Sequence, residues 1–130
     1  MSNVYRYLKE IYRAYEEGIP LVGPTQISKA LNVSKSTAHH MLKNMASMGY
    51  GIYMERKGFM LNEKGMEMAR KIMRKHRIIE SFLVSTFSMS ACQACEEAGR
   101  IDGCIGDEIV EMMEKRFNYT TCPCGKEIPK

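Results

Sequence analysis

The fold is decided by residues 25–62, which read TQISKALNVSKSTAHHMLKNMASMGYGIYMERKGFMLN. Apolar side chains recur at helical spacing over 25–31 and again over 34–48, and a short polar turn separates the two predicted helices. Residues 51–61 follow as two short strands with a basic tip between them, which predicts a β-hairpin. Two short helices followed by a basic hairpin are the pattern of a winged helix-turn-helix.

The second helix of this pair begins with short polar side chains, as does a helix that enters the major groove of DNA. Its apolar residues are predicted to face the domain core. The basic hairpin tip can reach a neighbouring phosphate or the minor groove. The candidate DNA-binding residues are Thr25, Ser34, Lys35, Ser36, Thr37, His39, His40, Lys43, Arg56 and Lys57. The alternative interpretation is a helical hairpin with solvated polar faces.

Helical spacing also predicts structure on both sides of this stretch. Further helices are expected over 3–17, 63–87, about 90–98 and about 104–116, with caps at Asn3 and Asn62 for the first two. The chain is therefore predicted to be mainly α. Residues 1–62 should form a winged helix of three helices and a hairpin, and residues 63–130 a long linker helix followed by a second helical domain.

Charge is distributed unevenly along the 130 residues, whose formal net charge is +4. Residues 1–62 contain eight Lys/Arg and four Glu, residues 63–77 six Lys/Arg and two Glu, and residues 78–130 five Lys/Arg and nine Asp/Glu. The three segments therefore have net charges of +4, +4 and −4. A basic first part suits a polyanion such as DNA, and the stretch 63–77 is expected to extend that surface. Ordinary scatter of surface charge is the alternative.

The chain is expected to be cytoplasmic. No apolar run approaches the roughly 18 residues that a membrane span needs. The N-terminus is charged and amphipathic, unlike a secretory signal. Structural disulfides are rare in the cytoplasm, so clustered cysteines in such a chain indicate metal or redox chemistry.

Five cysteines lie in the last third of the chain, at Cys92, Cys95, Cys104, Cys122 and Cys124. A C-x2-C pair can hold one tetrahedral metal ion or two corners of a cluster. Cys104 and one or both tail thiols could complete four ligands, and the spacing leaves open which tail thiol does so. An iron–sulfur cluster, [4Fe-4S] above all, is the first interpretation. A thiolate-bound iron or zinc ion and a metal-free dithiol switch are the alternatives.

Four stretches resemble the diphtheria toxin repressor and manganese transport regulator family of metal-dependent transcriptional regulators. They are YLKEIY (7–12), MRKHRIIESFL (73–83), EEAGRIDGCIGDEIVEMM (96–113) and CPCGKEIP (122–129). The resemblance covers nearly the whole chain. It implies a homodimer on a double-stranded DNA operator, with an N-terminal winged helix and a helical domain for metal binding and dimerisation.

The resemblance also implies metal ligands, with marked departures. His76 and Glu80 match the family's His-x-x-x-Glu ligands, and their spacing puts both side chains on one helical face. A buried His–Glu pair without metal is the alternative. Other family ligand positions fall on Arg6, Lys9, Gly99, Asp102 and Gly103, so the family's usual activating site is expected to be absent. A ligand His is replaced by Cys95, and the family's Cys-Pro-His-Gly tail by Cys122-Pro-Cys124-Gly, which exchanges hard donors for soft thiolates.

Taken together, these features predict a sequence-specific DNA-binding transcriptional regulator whose DNA affinity responds to a cysteine-bound metal centre and which senses iron or redox status. A regulator with a structural zinc–thiolate site and a metal-free thiol switch are the alternatives. An enzyme is not expected, because no βαβ pattern surrounds Cys92-x-x-Cys95 as it would in a thiol oxidoreductase.

Overall fold

The computed structural model describes residues 2–117 and 119–130, without the side chains of Ser2 and Asn3. The cap predicted at Asn3 therefore lies outside the described part. The chain divides into two compact units, Met1–Ala69 and Arg70–Lys130. No helix in the described ranges combines the length and apolarity that a bilayer crossing needs.

The elements follow the predicted order. They are helices α1 (Ser2–Glu16), α2 (Pro24–Leu31) and α3 (Lys35–Ser47), strands β1 (Gly51–Met54) and β2 (Gly58–Leu61), and helices α4 (Glu63–Phe87), α5 (Ala91–Ile101) and α6 (Asp107–Phe117). The prediction of a mainly α chain, with a winged helix followed by a helical domain, is confirmed. The predicted helix over about 104–116 begins later, at Asp107, because residues 102–106 form a turn in which Cys104 N–H donates to Ile101 O.

In the first unit, local signals set the helix ends. Ser34 caps α3, and its hydroxyl oxygen accepts the backbone N–H of Thr37 at 3.1 Å. Asn32 ends α2 in the left-handed conformation, with φ of 55°, which Asn tolerates better than most residues. Ala38, Leu42 and Met45 form the buried face of α3.

The wing is a two-stranded antiparallel hairpin with Gly51 opposite Leu61 and Met54 opposite Gly58. Phe59 is fully buried and forms a bridge to Val22, with N···O distances of 3.0 and 2.7 Å. Gly58 has φ of +119°, and a Cβ there would lie 2.5 Å from Val22 O, so the close approach of these backbones requires glycine.

The second unit packs the later part of α4 against α5, α6 and the C-terminal tail. Its core contains Ile78, Ile79, Ala98, Val110 and Ile128. The tail folds back on itself through a bridge between Thr121 and Glu127.

Three cationic side chains of the basic stretch 63–77 make polar contacts within the second unit. Arg74 pairs with Glu114, Lys75 Nζ donates to Ile105 O at 2.8 Å, and Arg77 Nη1 donates to Glu127 O at 2.8 Å. Carbonyls at the turn before α6 and in the tail need donors, and Lys75 and Arg77 supply them. The expectation that the whole stretch extends the DNA-facing surface is therefore wrong for these three residues.

Candidate DNA-contact surface and metal centre

The leading end of α3 presents polar side chains to solvent. Lys35, Ser36, Thr37 and His40 are exposed, whereas Ala38 between them is fully buried. The predicted residue Ser34 serves as the cap, and its hydroxyl donates to Thr37 Oγ1 at 2.8 Å. Thr25 is exposed on the first turn of α2. This end of α3 has the exposure and polarity that base-edge readout in the major groove needs.

The wing meets α3 around one acidic residue that the sequence pattern did not single out, Glu55. Its carboxylate lies 3.6 Å from Lys43 Nζ and 3.9 Å from His39 Nε2. The His39 ring also packs edge-on against Tyr53, with centroids 5.3 Å apart. Only the position of Glu55 at the hairpin turn hints at this role in the sequence.

The remaining DNA-contact candidates lie at the hairpin tip. Arg56 and Lys57 are exposed, and Arg56 has a left-handed backbone with φ of 67°. Of the ten predicted residues, nine are exposed, whereas His39 is half-buried beside the wing.

A buried polar group in the second unit joins α4 to α5. Potential ligand atoms of His76, Glu80 and Cys95 lie within 4.8 Å of one another. His76 Nε2 lies 3.4 Å from Glu80 Oε1 and 3.5 Å from Cys95 Sγ. His76 and Glu80 are each 2% exposed. The i, i+4 spacing of His76 and Glu80 on α4 puts both on the face that Cys95 approaches from α5.

Asp102 contacts the other ring nitrogen of His76, Nδ1. It is 2% exposed, and its Oδ2 lies 2.9 Å from His76 Nδ1. A carboxylate at Nδ1 favours the tautomer with the proton on that nitrogen, which leaves Nε2 as an acceptor facing Glu80 and Cys95. Sequence reasoning marked Asp102 only as a family ligand position, although an acidic residue at such a position was the signal for a supporting role.

A second group of potential ligands also includes Glu80. Potential ligand atoms of Glu80, Cys122 and Cys124 also lie within 4.8 Å of one another. The two thiol sulfur atoms are 2.7 Å apart, and both cysteines are free of disulfides. Cys122 is buried, with 3% exposure, whereas Cys124 is exposed.

The environment of Cys122 holds it as a thiol in the absence of a cation. Burial raises the pKa of Cys122 to about 11, and the hydrogen bond with Cys124 and the charge of Glu80 act in the same direction. Backbone hydrogen bonds from Lys126 and Cys124 lower the pKa and so oppose this effect.

The structure does not bring all predicted thiols together. Cys92 and Cys104 are exposed, and neither belongs to a candidate metal group among the described residues. Arg6, at a family ligand position, donates instead to Leu31 O at 2.8 Å.

The donor chemistry fits a single divalent ion. His76, Glu80 and Cys95 offer nitrogen, oxygen and sulfur donors of the kinds that bind zinc and iron. A [4Fe-4S] cluster needs four thiolates as a rule. Neither candidate group within residues 2–117 and 119–130 contains more than two cysteines, so this geometry does not support the cluster.

Two family models together match almost the whole chain. Residues 1–59 match the N-terminal DNA-binding domain of iron-dependent repressors. Residues 62–130 match the metal-binding and dimerisation domain of the same proteins.

Individual relatives agree with the family models. An uncharacterized HTH-type transcriptional regulator of Methanocaldococcus jannaschii is 35% identical over 113 residues, which are 87% of this chain and 90% of that protein. The diphtheria toxin repressor of Corynebacterium jeikeium is 30% identical over 95% of this chain and 51% of its own length. The structure of the manganese regulator SloR superposes with a TM-score of 0.86 at 31% identity, over 98% of this chain and 59% of that one. The chain thus spans about half the length of the last two.

Proposed function

Since this chain belongs to the iron-dependent repressor family, we propose that it is a sequence-specific DNA-binding regulator whose DNA affinity responds to an ion held by His76, Glu80 and Cys95. The family consists of metal-dependent transcriptional repressors, which are not enzymes. The observation that carries the proposal is the placement of three donor side chains at mutual ligand distance, two of them buried and Cys95 half-buried, with Asp102 at the other ring nitrogen of His76.

The front of the chain supplies the DNA contacts. We assign this role to residues 1–62, with the helical domain over 63–130. Base contacts come from the leading end of α3, and phosphate contacts from Lys43 and the wing tip. Dimerisation through residues 63–130 would place two copies of α3 about 34 Å apart, one turn of DNA, on an operator with two half-sites. A regulator of this kind works beside the chromosome, in the cytoplasm.

The donor set narrows the choice of ion to iron(II) or zinc. Cys95 contributes a soft sulfur, which disfavours manganese relative to these ions. When bound, the ion supplies the positive charge that offsets the Glu80 carboxylate and the Cys95 thiolate. His76 is held at its Nδ1 by Asp102, so that Nε2 keeps its orientation toward the ion. Among the described residues, neither candidate group contains more than two thiols, and this argues against an iron–sulfur cluster.

Helix α4 is the element through which metal binding can reach the DNA-contact surface. It starts at Glu63, directly after the wing, and carries His76 and Glu80 further along. Fixing α4 against α5 through Cys95 would limit the arrangements that a dimer can adopt. Because both half-sites must be engaged at once, a small change in dimer geometry changes operator affinity steeply.

The test is operator affinity of the full chain with and without iron(II) or zinc, under anaerobic conditions. Operator fragments are first selected from genomic DNA with the metal-loaded protein. We expect at least a 10-fold difference in affinity for the wild type and none for Cys95→Ser. Cys104→Ser, which removes an exposed thiol outside both groups, should behave as wild type. Equal affinity of the wild type in both conditions contradicts the proposal.

A metal-free thiol switch is the second candidate, and the 2.7 Å separation of the Cys122 and Cys124 sulfur atoms favours it. In this case an oxidant such as hydrogen peroxide would take the two thiol hydrogens and form the disulfide. Operator affinity would then change on oxidation of the metal-stripped protein, and Cys124→Ser would abolish that change. Metal and acid-labile sulfide analysis of anaerobically purified protein separates this candidate, a zinc-only structural site and a cluster from the proposed function.

A further inference from the structure

The C-terminal end of α3 leaves three successive carbonyl groups for another element to bind. Gly49 has φ of +87°, which reverses the chain after the helix, and its N–H donates to Ala46 O at 3.0 Å. Tyr50 N–H donates to Met45 O at 3.0 Å, so these two bonds form a Schellman motif that satisfies carbonyls inside the helix. The carbonyls of Met48, Gly49 and Tyr50 lie beyond them and need donors from elsewhere.

The residue that follows the wing, Asn62, donates to two of these carbonyls. Its Nδ2 donates to Gly49 O at 2.9 Å, and its backbone N–H donates to Tyr50 O at 3.1 Å. Its Oδ1 accepts the Gly65 N–H at 2.8 Å and so caps α4. One residue therefore connects the end of α3, the end of the wing and the first turn of α4.

Lys64 brings a positive charge to the same end of α3. Its Nζ donates to Met48 O at 3.4 Å and lies 5.2 Å from the centre of the Tyr50 ring. A cation is favoured both at the C-terminus of a helix and over an aromatic face. Each of the three carbonyls after α3 thus receives a donor from Asn62 or Lys64, and both of these residues are exposed.

Gly65 allows the first turn of α4 to approach this end of α3 closely. It is buried, and a Cβ at this position would overlap Tyr50 O, so backbone packs directly against backbone. Such close packing leaves few alternative arrangements of the two segments. All of these residues belong to the first unit, Met1–Ala69.

We infer that Asn62 and Lys64 are positioning residues, which fix α3 and the wing on α4 and thereby set the half-site spacing that the protein accepts on DNA. The inference rests on the proposed function only in requiring a dimer that binds two half-sites. Helix α4 is continuous from Glu63 to Phe87 and leads into the helical domain assigned to dimerisation. The start of α4 is therefore the place where the DNA-contact elements are attached to the segment that pairs two chains.

Half-site spacing is sensitive to this attachment. One additional base pair between two half-sites moves them apart by about 3.4 Å and rotates one against the other by about 35°. A dimer whose two copies of α3 are rigidly attached cannot follow both changes, so it discriminates between spacings. Without the donors from Asn62 and Lys64, α3 and the wing can tilt on α4 and engage half-sites at several spacings. The contacts within each half-site are then retained while the discrimination is lost.

The test measures the affinity of the full chain for operator fragments with the selected half-site spacing and with one base pair more or less. The wild type should prefer the selected spacing by about 10-fold or more. Asn62→Ser keeps a hydroxyl that can cap α4 but is too short to reach Gly49 O, and Lys64→Met keeps the apolar stem without the donor. In each variant the preference should fall to about 3-fold or less, with affinity for a fragment carrying one half-site changed by less than about 2-fold.

Two further variants complete the comparison. Lys64→Arg restores a cationic donor and should restore the preference for the selected spacing. Lys115→Met, which removes an exposed cation on α6, is the matched control and should behave as wild type.

Three results overturn the inference. The first is an equal loss of affinity on all fragments with the spacing preference intact, which would give Asn62 and Lys64 a purely structural role. The second is a wild type that accepts every spacing equally. The third is an intact spacing preference in Lys64→Met with a salt dependence lower by about one counterion, which would make Lys64 a phosphate contact. Assays with and without iron(II) separate these results from failure of the proposed function, in which affinity ignores metal while Asn62→Ser still relaxes the spacing.

Discussion

The polar residues of the two units differ in burial. At the DNA-contact surface they face solvent, as Lys35, Thr37 and His40 do. In the second unit, His76, Glu80 and Asp102 are each 2% exposed. Exposed polar groups keep their water and need no further explanation, whereas buried ones must find partners or a ligand. The buried group is therefore the stronger indication of a specific function, although its residues are less conspicuous in the sequence.

The largest expected effect is at Glu80, which belongs to both metal groups. Glu80→Gln keeps the size of the side chain but removes the charge, and we expect metal affinity to fall by more than about 100-fold, beyond the range for supporting residues. The loss should appear in a cobalt(II) titration of the metal-stripped chain. Glu96→Gln, at an exposed position on α5, is the control. Unchanged metal binding in Glu80→Gln would mean that burial here reflects only structural pairing.

The second prediction is that Asp102 supports metal binding indirectly, by orienting His76. Asp102→Asn should lower metal affinity by about 10- to 100-fold, because the amide stabilises the required orientation of His76 less well than the carboxylate. The measurement is metal affinity together with thermal unfolding of the metal-free protein. A lower unfolding temperature with unaltered metal affinity would assign Asp102 a purely structural role. Glu108→Gln, at an exposed position on α6, is the matched control.

The same difference in burial explains what could be predicted from the sequence. Local patterns predicted the cap Asn62, whose Oδ1 accepts the Gly65 N–H at 2.8 Å, and the hairpin around Gly58, because these features depend on neighbours within a few residues. The contact between Asp102 and His76 joins residues 26 positions apart, and only the folded chain brings them together.

Cys92 and Cys95 differ for a related reason, and the ligand role that the C-x2-C spacing predicts for Cys92 stays a prediction. The pair lies on α5, whose buried face contains Ala94 and Ala98. Cys95 lies at the edge of that face and reaches His76, whereas Cys92 points to solvent. Helical periodicity in α5 could have separated the two cysteines, had it been weighed against the motif.

A third change probes the exposed surface. His40→Ala should weaken binding to the selected operator by about 1–3 kcal/mol if the imidazole contacts a base edge, with a smaller effect on unrelated DNA. Competition binding with operator variants and with unrelated DNA measures the specific and the non-specific affinity. Glu17→Ala, exposed beyond the end of α1, is the control. An unaltered sequence preference would place base readout at other residues of α3.

The smallest expected effect is a gain in DNA affinity rather than a loss. It concerns Glu55, which lies among the cations of the DNA-contact surface. Its carboxylate is 3.6 Å from Lys43 Nζ, at side chains that are 68% and 54% exposed, so the ion pair itself adds little stability. Near DNA it repels phosphate and competes for Lys43. Glu55→Gln should therefore tighten non-specific binding several-fold and steepen the salt dependence by about one counterion. Salt titrations with unrelated DNA measure the slope, and Glu17→Gln is the control. Weaker binding of Glu55→Gln to the operator alone would instead assign Glu55 a base contact, such as acceptance from cytosine N4.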